Sequence, residues 1–261
     1  MRDILDLDRY PLDQPDSPAW QALVEWAQAE LAREGMFDLE GFMLPGAVQG
    51  LIDSVASRFA GEAFTQSRRH NIYFNPNLTD VPPGHPVLTQ LETVNHTLCA
   101  DQLTGSTLPE LYHWPQFAHF LSATMRLSTL HPMADPLAGV NAMAYFASDG
   151  LGWHFDRSEF TTTLLLSAPE FGGDFEYRTA LRTDTDPNYD GVGELLRGND
   201  PAMRSITLRP GTLNVFRGKH TAHRVTPVGG NTPRIIAVFS YFDRPGVTFT
   251  PEERLGFYGR S

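Results

Sequence analysis

The sequence predicts a mainly β (α+β) fold, in which N-terminal helices flank a sandwich or barrel of short strands. From Gly139 onward, seven β-rich runs are separated by Gly, Pro, Asp and Asn residues that favour turns. Before that point, apolar residues recur mostly at helical spacing. The 261 residues are enough to bury the core of one such domain, and we expect a single domain over residues 1–261.

The N-terminal part is predicted to be mostly helical. Ser17 is a suitable N-cap followed by a proline, and the helical spacing of apolar residues after it ends at Gly35. A second helix is predicted after Pro45, and a third over residues 109–130. We therefore assign residues 1–135 to a mostly helical part that packs on the strands.

The β-rich runs predict the strands, which we assign to residues 136–246. The runs are VNAMAYF, FTTTLLL, DFEYRTA, MRSITL, GTLNVF, HRVTPV and RIIAVFSYF. The polar segment from about Asp184 to Pro201 is expected to be an insertion or loop with a short helix. Residues 247–261 are expected to form a C-terminal tail.

Composition and charge narrow the range of functions. Thirty-one acidic against 20 basic residues give a net charge of −11, the wrong sign for general attraction to nucleic acid. No apolar run approaches the ~18 residues of a membrane span, and the first residues do not resemble a targeting signal, so we expect a cytoplasmic protein without a membrane partner. Because Cys99 is the only cysteine, any metal must be bound by His, Asp or Glu.

The strongest candidates for chemistry are His154 and Asp156 in GWHFDRSEFTTTLLL. Residues two apart in a strand point to the same face, so the two side chains would project together. About 0.6 such His-x-Asp triplets are expected by chance in a chain of this composition. Alone, the pair is therefore explained equally well as a surface His and Asp at a strand end.

A third ligand is available in RGKHTAHRVTPVGGNTPRIIAVFSYF, which contains His220 and His223. Two imidazoles and one carboxylate on one face of a metal leave three positions open, as in non-haem iron(II) oxygenases that bind a co-substrate and oxygen. Arg234 follows across a Gly-Gly-Asn turn, and its planar fork would bind the far carboxylate of 2-oxoglutarate. Without the three ligands, Arg234 would be interpreted as part of a surface ion pair.

Seven segments in order resemble a known family: ADPLAGVNAMAYF, GWHFDRSEFTTTLLL, GGDFEY, NYDGV, RPGTLNVFRG, HRVTPV and SYFDRPGV. From about Cys99 to Gly246 the chain resembles iron(II)- and 2-oxoglutarate-dependent oxygenases related to the free-amino-acid lysine halogenases and hydroxylases. The resemblance implies a double-stranded β-helix, the cupin-like jelly roll, with N-terminal flanking helices. It also implies an enzyme with Fe(II), 2-oxoglutarate and O2.

The resemblance further implies which residues form the site. The implied iron ligands are His154, Asp156 and His223, and the implied 2-oxoglutarate ligands are Arg234 and the hydrogen-bond donor Tyr145. His223 is preferred over His220 because it lies in the HRVTPV segment, which leaves His220 behind the ligands or on the surface.

Asp156 points to hydroxylation. In the family that the chain resembles, a halide coordinates iron only where the protein leaves a position vacant, usually with Gly in place of the carboxylate. We therefore predict hydroxylation of an unactivated C–H bond with release of succinate and CO2. Desaturation or cyclisation at the same iron is an alternative, and so is a non-catalytic jelly-roll protein that binds a small molecule.

The expected substrate is a small molecule, a free or N-substituted amino acid. Arg157, Arg68 and Arg69 are the basic residues most suited to bind its carboxylate, although a solvated basic turn explains Arg68 and Arg69 equally well. A lysine-specific relative is expected to have acidic surroundings for the substrate amine at the position of Arg157. Because this position is basic here, an anionic or N-acylated amino acid is as suitable a substrate as a free amino acid. A homodimer is also compatible with the sequence.

Overall fold

Two antiparallel sheets enclose one cavity in the computed structural model, which describes all 261 residues. The helices are α1 (Pro18–Arg33), α2 (Pro45–Val55), α3 (Thr107–Tyr112), α4 (Pro115–Thr124), α5 (Tyr189–Leu196) and α6 (Pro251–Tyr258). The strands are β1 (Met36–Leu39), β2 (Phe64–His70), β3 (Leu91–Leu98), β4 (His131–Pro132), β5 (Val140–Tyr145), β6 (Leu151–His154), β7 (Thr161–Ser167), β8 (Phe171–Gly172), β9 (Phe175–Arg178), β10 (Arg204–Ile206), β11 (Leu213–Phe216), β12 (Ala222–Val225), β13 (Val228–Gly229), β14 (Arg234–Phe239) and β15 (Tyr241–Phe242). No helix is both long and apolar enough to cross a bilayer.

The strand order is that of a jelly roll. The major sheet has seven strands in the order β1-β11-β7-β14-β5-β3-β2, and the minor sheet has four in the order β10-β9-β12-β6. Neighbouring strands are antiparallel although most are distant in sequence. The predicted mainly β fold with N-terminal flanking helices is confirmed.

The major sheet lies between the apolar core and the cavity. Successive side chains of its strands point to opposite faces, so one face packs in the core and the other lines the cavity. In β14, Ile235 and Ala237 belong to a core of 37 buried residues shared with the first four helices. Arg234 and Ile236 point to the other face and line the cavity. The same strand therefore stabilises the fold with one face and carries polar chemistry on the other.

The predicted N-terminal helices are present, with one difference. The hydroxyl of Ser17 accepts a hydrogen bond from the Trp20 N–H at 3.2 Å and caps α1. Over residues 109–130 the structure has two short helices, α3 and α4, instead of one. They are separated at Trp114, which is extended because it precedes Pro115.

Residues 1–135 also contribute four strands that the sequence analysis did not predict. β1 pairs with β11, and β3 pairs with β5, so that these strands widen the major sheet at both edges. β2 and β3, with the sequences FTQSRRH and LETVNHTL, lack an apolar alternation because their inner faces line a polar cavity. The predicted C-terminal tail contains α6, and the polar segment before β10 contains α5 as expected.

The core between the helices and the major sheet can be tested at Leu164, which is fully buried in β7. Leu164→Ala is expected to lower the free energy of unfolding by about 2–5 kcal/mol, because the cavity left behind refills only partly. The measurement is urea unfolding followed by circular dichroism. Leu255→Ala in α6 is the matched control, since Leu255 is 53% exposed and its loss should change stability by at most about 0.5 kcal/mol. Equal effects of the two substitutions would contradict this arrangement of the core.

Candidate metal and co-substrate site

The minor sheet brings the predicted metal ligands together. β6 and β12 are neighbours with His154 directly opposite His223, and Asp156 follows two residues after the end of β6. Nε2 of His154 lies 3.4 Å from Oδ1 of Asp156, and Nε2 of His223 lies 3.5 Å from Oδ2. One ligand atom from each of the three residues lies within 4.8 Å of the other two.

Both imidazoles are oriented by the backbone. Nδ1 of His154 is 2.9 Å from the carbonyl oxygen of Gly152, and Nδ1 of His223 is 2.9 Å from that of Thr221. A carbonyl oxygen only accepts, so each Nδ1 carries a proton, and in the neutral form of each imidazole Nε2 presents a lone pair toward the carboxylate. Three electron-pair donors thus converge without a proton between them. This donor set fits a divalent metal such as iron(II), for which two imidazoles and one carboxylate are suitable ligands.

The protonation states also suit metal binding. Burial, together with the charge of His154, lowers the pKa of His223 to about 4. Burial alone would raise the pKa of Asp156, but the positive charge of protonated His223, a hydrogen bond from protonated His154 and the hydrogen bond from Thr161 outweigh it and hold that pKa well below its usual value. Near neutral pH the site therefore contains a neutral His223 and an ionised Asp156, the forms that bind metals.

Two further residues fix the Asp156 carboxylate. The hydroxyl of Thr161 donates to Oδ2 at 2.5 Å, and the Asp156 N–H donates to the Gly218 carbonyl at 3.0 Å. A Cβ at Gly218 would lie 2.3 Å from Oδ2, so only glycine leaves room for the carboxylate. Neither role was predicted, because a Thr in a β-rich run and a Gly in a turn have ordinary explanations.

The major sheet contributes the residues predicted to bind 2-oxoglutarate. Arg234 pairs directly with Tyr145 across β14 and β5, and both residues line the same cavity, of about 870 Å³, as the metal ligands. Only 3% of Arg234 is exposed, yet its guanidinium forms no ion pair and no hydrogen bond in the protein. A buried unpaired cation is costly, so this position fits an anion. Burial raises the pKa of Tyr145 to about 12, which keeps its hydroxyl protonated as a donor.

The three predicted substrate-binding arginines occupy different positions around the cavity. Arg68 faces inward from β2, with its buried Nε lacking any hydrogen-bond partner. Arg69, the next residue, is exposed and also contributes to the lining of the cavity. Arg157 lies at the rim with a side chain 76% exposed and forms an ion pair with Glu253 at 2.6 Å. His220, which the sequence analysis set aside, lies at the surface beside Asp184.

The loop after β2 supplies part of the cavity wall that the sequence analysis did not identify. Phe74 has a left-handed backbone with φ of 53°, and its ring centroid lies 5.9 Å from that of His154. The Asn71 side-chain oxygen accepts the N–H groups of Tyr73 and Asn75, each at 3.1 Å, and stabilises this strained turn.

Helix α6 supplies another part of the wall. Its first turn has a capping box between Thr250 and Glu253, and Tyr258 donates a hydrogen bond to Asn141 on the inner face of β5 at 3.0 Å. The letters TPEE could have predicted the helix, but not where it packs.

Comparisons with known proteins agree with this geometry. A family model described as Halogenase D matches residues 21–248. No curated protein matches the chain. The predicted resemblance to iron(II)- and 2-oxoglutarate-dependent oxygenases related to halogenases is confirmed.

Several solved structures share the fold at low identity. The epimerase SnoN, in complex with Fe3+, α-ketoglutarate and nogalamycin RO, is 18% identical to this chain with a TM-score of 0.58. The alignment covers 85% of this chain and 84% of the SnoN chain. A 2OG-Fe(II) oxygenase family oxidoreductase from Burkholderia pseudomallei is 14% identical with a TM-score of 0.53, covering 86% and 92%. A prolyl-4-hydroxylase from Pseudomonas putida is 15% identical with a TM-score of 0.51, covering 83% and 97%.

The lowered pKa of His223 predicts how pH affects the stability of the metal-free protein. Between pH 6.5 and about 4 the unfolded chain binds a proton at this residue that the folded chain does not, so stability should fall as pH falls through this window. In urea unfolding, the free energy of unfolding of the wild type should fall by up to about 1.4 kcal/mol more per pH unit than that of His223→Gln. Burial raises the pKa of Asp38 to about 6, so protonation of Asp38 increases stability as pH falls. Asp38 is present in both proteins, so this effect cancels in the comparison. Parallel pH profiles would show that His223 is protonated in the folded state.

Proposed function

We propose, since the chain belongs to the Halogenase D family, that it is an iron(II)- and 2-oxoglutarate-dependent hydroxylase acting on a small molecule, a free or N-substituted amino acid. The overall reaction converts a substrate C–H bond, 2-oxoglutarate and O2 to a C–OH group, succinate and CO2. The observation that carries the proposal is the pairing, in one cavity, of three converging metal donors with the buried, unpaired guanidinium of Arg234.

Each residue of the site has a role in this proposal. His154, Asp156 and His223 would hold iron(II), while Arg234 would pair with the far carboxylate of 2-oxoglutarate and Tyr145 would donate a hydrogen bond to it. When bound, iron(II) supplies the oxidising chemistry that couples decarboxylation of 2-oxoglutarate to hydroxylation. The protein orients both molecules and limits the access of water to the inner end of the cavity.

The carboxylate of Asp156 favours hydroxylation over halogenation within the family. Its position is supported by Thr161 on one side and by the close approach of Gly218 on the other. Because the carboxylate of Asp156 would take the coordination position that a halide needs, iron(II) held here would supply hydroxylating rather than halogenating chemistry. The shared fold of an epimerase and a prolyl hydroxylase means that the fold alone does not determine the outcome.

Anaerobic titration tests the site. Metal-free protein given iron(II) and then 2-oxoglutarate should develop the weak visible charge-transfer band of the chelated co-substrate. His223→Ala should abolish the band by removing a metal ligand, and Arg234→Ala should raise the 2-oxoglutarate concentration needed by at least about tenfold, as expected for a lost charge-assisted bidentate contact. His220→Ala, at the surface beside Asp184, is the matched control and should leave the band unchanged. A protein that binds no iron would instead be a non-catalytic binding protein.

Asp156→Gly tests which chemistry the carboxylate selects. Hydroxylated product should be lost, or partly replaced by chlorinated product in chloride buffer, because the substitution vacates one coordination position. Mass spectrometry separates the outcomes, since hydroxylation adds one oxygen atom whereas desaturation or cyclisation removes two hydrogen atoms. Full hydroxylase activity in Asp156→Gly would refute the assignment of Asp156 as a metal ligand.

A further inference from the structure

We propose that the substrate is a carboxylate without a free ammonium group, such as an N-acylated amino acid, and that Arg68 binds its carboxylate. This inference rests on the proposed function and names the substrate class of the same site. It follows from the distribution of charge around the cavity, where a cation lacks a partner and no carboxylate is left for an ammonium group.

Arg68 is the uncompensated cation at the outer part of the cavity. It projects from the inner face of β2, forms no ion pair, and has a buried Nε without an acceptor. Burial, and then the charge of Arg157, lower the pKa of Arg68, which shows that its surroundings disfavour the positive charge. A carboxylate bound at the terminal N–H groups of Arg68, which have no hydrogen-bond partner in the protein, would supply the missing negative charge.

Two aromatic rings restrict how an anion can approach Arg68. Its Cζ lies 4.5 Å from the ring centroid of Phe74 and 5.7 Å from that of Phe257. Rings over a guanidinium leave its N–H edge for hydrogen bonding, which is the geometry that binds a carboxylate bidentately. The stacking also fixes the side chain, so less conformational entropy is lost on binding.

An ammonium group would find no free carboxylate in this cavity. The only acidic residues that line it are Asp156 and Glu253. Asp156 accepts a hydrogen bond from Thr161 and would hold iron(II) together with the two histidines, whose Nε2 atoms it faces. Glu253 uses Oε1 for the ion pair with Arg157 at 2.6 Å and Oε2 to accept the Thr250 N–H at 2.9 Å. A cationic amine would therefore lose its hydration without a free carboxylate to balance its charge, close to Arg68 and Arg157.

Phe74 relates this anion position to the metal donors. Its ring contacts Arg68 on one side, and its centroid lies 5.9 Å from that of His154 on the other. A substrate held by its carboxylate at Arg68 would thus extend along Phe74 and bring an apolar C–H group to the metal donors. Because Asn71 fixes the backbone of Phe74, this spacing belongs to the folded protein rather than being created by the ligand.

The test compares four ligands of similar length by isothermal titration calorimetry under anaerobic conditions, on protein whose iron(II) and 2-oxoglutarate band has already formed. They are N-acetyl-L-norleucine (anionic), L-norleucine (zwitterionic), N-acetyl-L-norleucinamide (neutral) and L-lysine (cationic). N-acetyl-L-norleucine should bind at least about tenfold more tightly than the amide, which lacks the carboxylate and its charge-assisted contact. It should exceed L-norleucine and L-lysine by a similar factor, because their ammonium groups would find no free carboxylate. Arg68→Gln should weaken its binding at least about tenfold, and Arg68→Lys by less, since the charge is retained. Arg209→Gln is the matched control, because Arg209 is exposed and pairs with Glu40.

The outcomes separate this inference from the function on which it rests. Tighter binding of L-lysine or L-norleucine, binding of none of the four, or an unchanged Kd in Arg68→Gln would overturn the inference while the band remained intact. A loss caused by Arg157→Gln and not by Arg68→Gln would also overturn it. Absence of the band in the wild type would overturn the proposed function, and the substrate assignment with it.

Discussion

The buried carboxylate of Asp156 lies between the Nε2 atoms of two imidazoles, and this group of donors is complete only when a cation binds among them. Much of the local structure maintains this arrangement around Asp156. Backbone carbonyls of Gly152 and Thr221 hold the protons on Nδ1 of the histidines, and Gly218 leaves space for the carboxylate. The pairing of β6 with β12 sets the distance between the two imidazoles. The minor sheet thus serves mainly to hold three donors at a fixed separation.

The major sheet buries Arg234 without a partner, which costs free energy of folding. Burial of apolar surface on its other face offsets this cost, because Ile235 and Ala237 on the same strand pack into the large apolar core under the helices. The two-residue period of a strand allows a structural and a chemical function to alternate along one segment. Polar residues can therefore face the cavity without interrupting the core.

The sequence predicted the parts of the site that follow from spacing and from recognisable segments. His154, Asp156, His223 and Arg234 could be found because their segments have a fixed order, and the structure brings all four to one cavity. The strands β2 and β3 could not be found from apolar alternation, because the side chains that line a polar cavity are themselves polar. The sequence does not separate Arg68 from Arg69 and Arg157, because its aromatic neighbours and the missing acceptor of its Nε depend on the folded structure.

The position of β2 at the edge of the major sheet has an evolutionary consequence. Of the proposed metal and co-substrate residues, His223, Arg234 and Tyr145 lie on inner strands paired on both sides, where a substitution disturbs two neighbours. Arg68 lies on a strand with one neighbour, and Phe74 lies in a loop. Mutations that alter substrate choice can therefore accumulate at the edge while the oxidative chemistry is inherited unchanged. A single scaffold of this kind could diversify across many substrates, each descendant keeping the same inner strands and replacing the residues of one outer strand and its loop.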